Sequence, residues 1–161
     1  MAVLKEGSKA PVFKALDQNG KPISLADFKG KKVVLYFYPH DDTPTCTIQA
    51  CNLRDNYSLL QKKGYQVIGV STDDVKSHKK FEKKFDLPFP LVADEDKKIV
   101  DKYNLWGEKK LMGHTYMGTT RTTFLIDETG KIVKIIDKPV SKNHTEEILE
   151  AWASVEKKVK S

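Results

Sequence analysis

The sequence predicts an α/β fold, a mixed central β-sheet flanked by helices. Three observations carry this. Two uninterrupted apolar runs, 31–39 (KKVVLYFYP) and 65–72 (YQVIGVST), have the length and β-branched content of strands buried on both faces. Segments of helical periodicity follow each of them. Turn dipeptides flanked by extended residues mark a hairpin near each end of the chain.

Taken in order, 12–28 reads as a hairpin turning at Asn19-Gly20, a strong turn pair. The run 31–39 is a strand that stops at Pro39, which cannot donate to a ladder. Residues 44–64 read as a helix closed by Gly64. After the second strand, 74–86 is an amphipathic helix with Phe81 and Phe85 at i, i+4. Residues 89–94 form a short strand, 95–105 a short helix, and 106–120 a Gly-rich loop. A second hairpin spans 121–137 and turns at Glu128-Thr129-Gly130. The terminal helix, 143–160, carries Ile148, Trp152 and Val155 on one stripe. Strands alternating with helices require crossovers and a largely parallel sheet, and the closing hairpin adds antiparallel strands. A thioredoxin-like α/β sandwich is the economical arrangement.

The 161 residues fit one compact domain, 1–161. The start of the chain lacks a secretion signal's apolar run, and no stretch has the length of a membrane span, so the expected location is cytoplasmic. The net charge is +6, but the lysines fall in scattered pairs without an arginine cluster or interleaved aromatics. Solvated helix faces and turns account for them, and nucleic acid is not an expected partner. No sequence feature demands an oligomer, and a monomer is expected. No cofactor or metal is expected.

The chain has two cysteines, Cys46 and Cys51, both in the stretch YFYPHDDTPTCTIQAC. Thr43 occupies the N-cap position and Pro44 the first helical position, which puts Cys46 at the third. Unpaired N–H groups and the positive end of the helix dipole favour a thiolate there. Cys46, Ala50, Leu53, Tyr57 and Leu60 step by 4, 3, 4, 3 and define an inward stripe. Cys51 lies about 140° around the helix, and the two Cα atoms stand about 8.6 Å apart in an intact helix. A disulfide needs less than about 7 Å, so the pair can close only if the first turn unwinds. That suits a dithiol whose members act in sequence. Two buried, inert thiols on an amphipathic helix are the alternative. A zinc site from Cys46, Cys51 and His40 lacks a fourth ligand, and the spacing is not Cys-x-x-Cys.

The segment FYPHDDTPTCTIQACNLRD resembles the active-site segment of the peroxiredoxins, most of all their bacterioferritin comigratory protein or peroxiredoxin Q branch. The Pro-x-x-x-Thr-x-x-Cys motif falls on Pro39, Thr43 and Cys46. A second stretch, WGEKKLMGHTYMGTTRTTFLID, places the family's arginine at Arg121. The likeness runs from about residue 4 to the end of the chain. It implies a thiol-dependent peroxidase for hydrogen peroxide and organic hydroperoxides. Cys46 would be the peroxidatic thiol and Cys51 the resolving one, joined in an intramolecular disulfide that a thioredoxin-type protein reduces. Arg121, Thr43 and the Cys46 N–H would supply donors, and Pro39 would cover the site.

The chain departs from the branch pattern at Thr45, where glycine is frequent, and at Gln49, where glutamate is usual, which removes a negative charge from the arginine's surroundings. His40 stands for a common lysine and Thr119 for an apolar residue. Trp152 is expected in the core. Trp106 and Tyr116 either rim the entrance or simply cover the sheet, the rim being the favoured reading. His78, His114 and His144 form no recognisable ligand set. A general dithiol–disulfide oxidoreductase and a redox sensor or relay are the competing functions, against which the Pro39, Thr43, Cys46 and Arg121 set argues.

Overall fold

A computed structural model of the chain describes residues 4–111, 113–137 and 139–160. The first hairpin pairs β1 (Lys14–Leu16) with β2 (Pro22–Ser24). Its turn is built as the Asn-Gly pair requires. Gly20 has φ +71°, and Asp17 Oδ1 accepts from the N–H groups of Asn19 and Lys21.

The central strand, β3 (Lys32–Phe37), lies parallel to β4 (Tyr65–Ser71), which lies parallel to β5 (Leu91–Ala93). On its other side β3 runs antiparallel to β8 (Thr122–Ile126), which forms the closing hairpin with β9 (Ile132–Ile136). The seven-stranded order is β2-β1-β5-β4-β3-β8-β9. The expected mixed sheet is therefore present, with the two apolar runs at its centre.

Pleat alternation divides the core. Val33, Leu35 and Phe37 face one cluster with Ile99 and Val100 of α4 (Lys98–Lys102). Val34, Tyr36 and Tyr38 face the other, which is built by α1 (Pro44–Asp55), α2 (Tyr57–Lys62), α3 (Val75–Phe85) and α5 (His144–Lys160). The stripe Cys46, Ala50, Leu53, Tyr57 and Leu60 is buried throughout, and Ile148 and Trp152 are buried beside it. Each fully buried Leu or Phe in these clusters contributes about 1.5–3 kcal/mol from removing apolar surface from water. No helix among the described residues is long and apolar enough to cross a membrane.

Two elements differ from the sequence reading. The helix expected over 44–64 is broken at Asn56, whose backbone leaves helical geometry (φ −111°, ψ 9°). Its side-chain amide donates to the Asn52 carbonyl at 2.8 Å, a local bond that competes with the backbone ladder. The stretch 106–120 is a hairpin of β6 (Trp106–Leu111) and β7 (His114–Thr119), not a loop. Its glycines obscured the strand pattern, because Gly107 and Gly118 face each other within the ladder.

Candidate active site

The cysteine helix begins where β3 ends. The Tyr38 N–H makes one further bond to the Val70 carbonyl, and Pro39 then ends the pairing. Thr43 has the extended backbone of an N-cap, and Pro44 is the first helical residue. The Thr43 hydroxyl does not cap the helix; it donates to the His40 carbonyl at 3.3 Å. Cys46 thus sits in the first turn, where backbone N–H groups lack helical acceptors. It is buried at 1% exposure. Cys51 is half-buried on another side of the same helix, and both cysteines are free thiols.

Arg121 comes from the far end of the sequence, and sheet register delivers it. Phe37 pairs with Thr122, so the residue before β8 lies beside the end of β3. Arg121 Nη2 donates to Cys46 Sγ at 3.1 Å, and Nη1 donates to Gln49 Oε1 at 2.7 Å. The guanidinium fork is therefore clamped between the sulfur and an amide one helical turn further on. Gln49 is fully buried and uncharged, so the arginine's charge is not shared with a carboxylate at that contact. The Cys46 sulfur thus meets a guanidinium at the start of a helix.

Two buried polar atoms near this pair have no hydrogen-bond partner among the described residues, Gln49 Nε2 and the Tyr36 hydroxyl. Burial raises the Tyr36 pKa well above its ordinary value. The negative charges of Cys46 and Asp41 raise it further, while Arg121 pulls the other way. Tyr36 therefore stays a neutral phenol beside the site.

The loop that carries Pro39 is held by residues the sequence reading passed over. Asp41 Oδ1 accepts from the Tyr38 hydroxyl at 2.6 Å, and Oδ2 accepts from the Ser77 hydroxyl at 2.8 Å. His78 donates to Asp41 Oδ2 from Nδ1 at 2.7 Å and to the Val92 carbonyl from Nε2 at 2.9 Å. Burial alone pulls the His78 pKa down. The hydrogen bond and charge of Asp41, with the Val92 carbonyl, outweigh this and hold it above the ordinary histidine value. Asp41, Asp73 and His78 have metal-ligand spacing, but their lone pairs and protons are engaged with one another and with Ser71, Ser77 and Tyr38. The legible signal for His78 was its place on the same stripe as Phe81, three residues on.

His144 is also buried. It accepts from the Thr123 hydroxyl at Nε2 (2.8 Å) and donates from Nδ1 to Glu147 (3.1 Å). Burial holds its pKa below the ordinary value despite Glu147, and the charge of Arg121 adds to the lowering.

The aromatic rim is corrected. Trp106 packs on the core cluster of the opposite sheet face, under Lys97 Nζ at 5.1 Å from its ring. It covers the sheet within that cluster, whereas Cys46 belongs to the cluster on the other face. The Tyr116 side chain lies outside the described residues.

Known proteins resemble this chain over most of its length. The sequence profile described as the AhpC/TSA family matches residues 7–135. The chain is 45% identical over 149 residues to Peroxiredoxin Bcp of Escherichia coli, covering 92% of this chain and 96% of that one. It superposes on a cysteine-to-serine mutant of Xylella fastidiosa PrxQ with a TM-score of 0.88 at 28% identity, covering 96% and 98% of the two chains. A structure of the Xanthomonas campestris bacterioferritin comigratory protein, studied for alkyl peroxide reduction, matches with a TM-score of 0.82 at 30% identity over 89% and 92%. These neighbours share the thioredoxin-like peroxiredoxin fold.

Proposed function

This chain belongs to the AhpC/TSA family, among its Bcp or peroxiredoxin Q members, and on that premise we propose a two-cysteine peroxidase cycle run by Cys46 and Cys51. Members of this family are thiol-dependent peroxidases, so the substrate is a peroxide and the reductant a thioredoxin-type thiol protein. The finer assignments follow from the residues.

The Cys46 thiolate attacks one peroxide oxygen. The S–O bond forms as the O–O bond breaks, and the leaving oxygen takes a proton and departs as water or an alcohol. The product is a Cys46 sulfenic acid. Arg121 holds the thiolate before attack and donates to the oxygens as charge moves onto them. The Cys46 N–H is a second donor at the helix start, and Thr43 and Pro39 shape and cover the approach. Cys51 then attacks the Cys46 sulfur, giving an intramolecular disulfide and water. A dithiol reductant restores both thiols by exchange. Hydrogen peroxide and organic hydroperoxides both suit this site; the Xanthomonas relative was studied for alkyl peroxide reduction. All the named groups come from one chain, so the cycle as drawn needs no residue from a second subunit. A reducing compartment such as the cytoplasm suits thiols that must be regenerated.

The observation that carries this reading is the Arg121 Nη2 contact to Cys46 Sγ at 3.1 Å, at the start of a helix. Peroxide consumption coupled to a thioredoxin reducing system tests it. Turnover by the wild type and none by Cys46→Ser is the expected result. Stoichiometric oxidation without turnover would make the protein a redox sensor or relay instead.

A further inference from the structure

Two polar anchors stand at the ends of the segment that holds both cysteines. The first is Asp41, whose side chain is 5% exposed and is bonded to Tyr38, Ser77 and His78. Its own N–H donates to Asp73 Oδ2 at 2.7 Å. The second is Asn52, immediately after Cys51. Asn52 Oδ1 accepts from both the N–H and the hydroxyl of Thr145 at 2.8 Å, and Nδ2 donates to the Lys142 carbonyl at 2.9 Å. Asn52 thereby caps α5 from another helix, satisfying an N–H that α5 cannot pair itself.

Between the anchors the chain is held more lightly. Among the described residues, the side-chain polar ties from 42–51 to the rest of the protein are those of Arg121 to Cys46 and Gln49, an exposed Lys84–Asp42 ion pair and the exposed Thr43 hydroxyl bond to the nearby His40 carbonyl. The start of α1 has no side-chain cap. Ile48, midway along, is 49% exposed. Beyond Asn52 the ties resume, with Arg54 Nη1 donating to the Phe85 carbonyl and Asn56 to the Asn52 carbonyl.

We propose that Asp41 and Asn52 are positioning residues that confine the rearrangement of the resolving step to residues 42–51. The start of α1 unwinds, while its end, α2 and the Tyr38–Asp41 corner stay in place. The proposal rests on the reading of Cys46 and Cys51 as peroxidatic and resolving thiols. In that step the Cys51 thiolate attacks the sulfenic sulfur of Cys46; the S–S bond forms, the S–O bond breaks, and hydroxide leaves to take up a proton as water.

The physical barrier differs in kind at the two ends. Unwinding past Asn52 strips the Thr145 N–H and hydroxyl and the Lys142 carbonyl of their partner at once. Releasing Asp41 strips the buried His78 of the acceptor at Nδ1, with Nε2 already committed to Val92. The Arg121 ties, by contrast, meet the segment at the sulfur itself and at Gln49, inside the part that moves.

Amide hydrogen exchange on reduced and peroxide-oxidised protein tests this, in wild type, Asn52→Ala, Asn52→Asp and Tyr38→Phe. In oxidised wild type, exchange at 47–51 should rise by about tenfold or more while 53–55 change by less than about twofold. In oxidised Asn52→Ala the fast exchange should spread through 53–55. Asn52→Asp keeps the acceptor for Thr145 and should restore protection there. Tyr38→Phe should loosen 40–42 in the oxidised form and leave 53–55 alone. The rate of the first reaction with peroxide should stay unchanged in the Asn52 variants, which do not touch Cys46. Loss of protection past Asn52 in oxidised wild type overturns the proposal, as does an oxidised Asn52→Ala that matches wild type. Unchanged exchange at 40–42 in Tyr38→Phe overturns the Asp41 half. Mass spectrometry of oxidised wild type is the separate check: if it finds no Cys46–Cys51 bond, the resolving assignment itself falls and the confinement falls with it.

Discussion

Arg121 and Cys46 meet at 3.1 Å across a sequence separation of 75 residues. The contact is a charge-assisted bond from a guanidinium to a sulfur at a helix start, and it is worth about 1.5–3 kcal/mol where both groups are withdrawn from water. Arg121→Ala should therefore slow the first reaction with peroxide by about ten- to a hundredfold. Arg121→Lys, which keeps the charge but loses the fork, should recover only part of this. Stopped-flow oxidation of the reduced protein reads both. A rate unchanged in Arg121→Ala would remove the arginine from the chemistry.

The two cysteines should separate by step. Cys46→Ser should abolish peroxide consumption, because Cys46 is the buried thiol at the helix start. Cys51→Ser should still undergo one oxidation at Cys46 and then stall. Trapping of the sulfenic acid followed by mass spectrometry distinguishes the two. Oxidation that survives in Cys46→Ser but not in Cys51→Ser would reverse the roles.

Gln49 holds the other arm of the fork at 2.7 Å. Gln49→Met preserves the buried volume and deletes the acceptor. The guanidinium then loses one of its two fixed contacts, and the peroxide reaction should slow by roughly tenfold, equivalent to about 1.4 kcal/mol in the barrier. The fold should persist, since the side chain keeps its length and becomes apolar. Circular dichroism with stopped-flow kinetics checks both statements, and wild-type kinetics in this variant would refute the positioning role.

The two buried histidines should respond to pH in opposite senses. His78 holds its proton more tightly folded than unfolded. Its contribution to stability is complete below the unfolded histidine pKa of about 6.5 and is lost as pH rises through the higher folded value. His144 resists protonation when folded. Its contribution is present above about 6.5 and is lost as pH falls from there toward its lower folded value. Imidazole resonances followed by NMR should titrate on opposite sides of a free histidine. Two curves on the same side would contradict the assignment.

Gly69 on β4 supports the floor of the site. A Cβ there would lie 3.0 Å from the Tyr36 ring and hydroxyl and 3.0 Å from Leu91. Both neighbours are fully packed, at 1% and 0% exposure. Gly69→Ala should cost about 1–3 kcal/mol through overpacking, read as a lowered Tm. An unchanged Tm would mean that Tyr36 can move aside.

Much of the architecture was open to reading because it rests on local rules. The runs 31–39 and 65–72 are apolar on both faces, and they became the central parallel pair β3 and β4. Thr43 and Pro44 announced a helix start, and Cys46 is in its first turn. The stripe from Cys46 to Leu60 has helical period, and all five residues are buried. The break at Asn56 and the β6–β7 hairpin escaped because each turns on a choice between competing backbone bonds. An Asn side chain reaching back to Asn52 and a ladder across Gly107 and Gly118 look from local pattern like helix and loop.

The sequence by itself determined the strands of the central sheet, the start of the cysteine helix and which thiol sits there. These follow from periodicity, capping and the missing N–H of proline, all of which act over a few residues. Only the tertiary structure decided what surrounds the sulfur. Register between β3 and β8 sets Arg121 beside Cys46, burial leaves Gln49 as the arginine's second partner, and packing of α3 on β5 puts His78 between Asp41 and Val92. Periodicity shows that a polar side chain is buried but not which partner it meets. That partner comes from another element, and the demand that buried donors find acceptors is met only once the elements have packed.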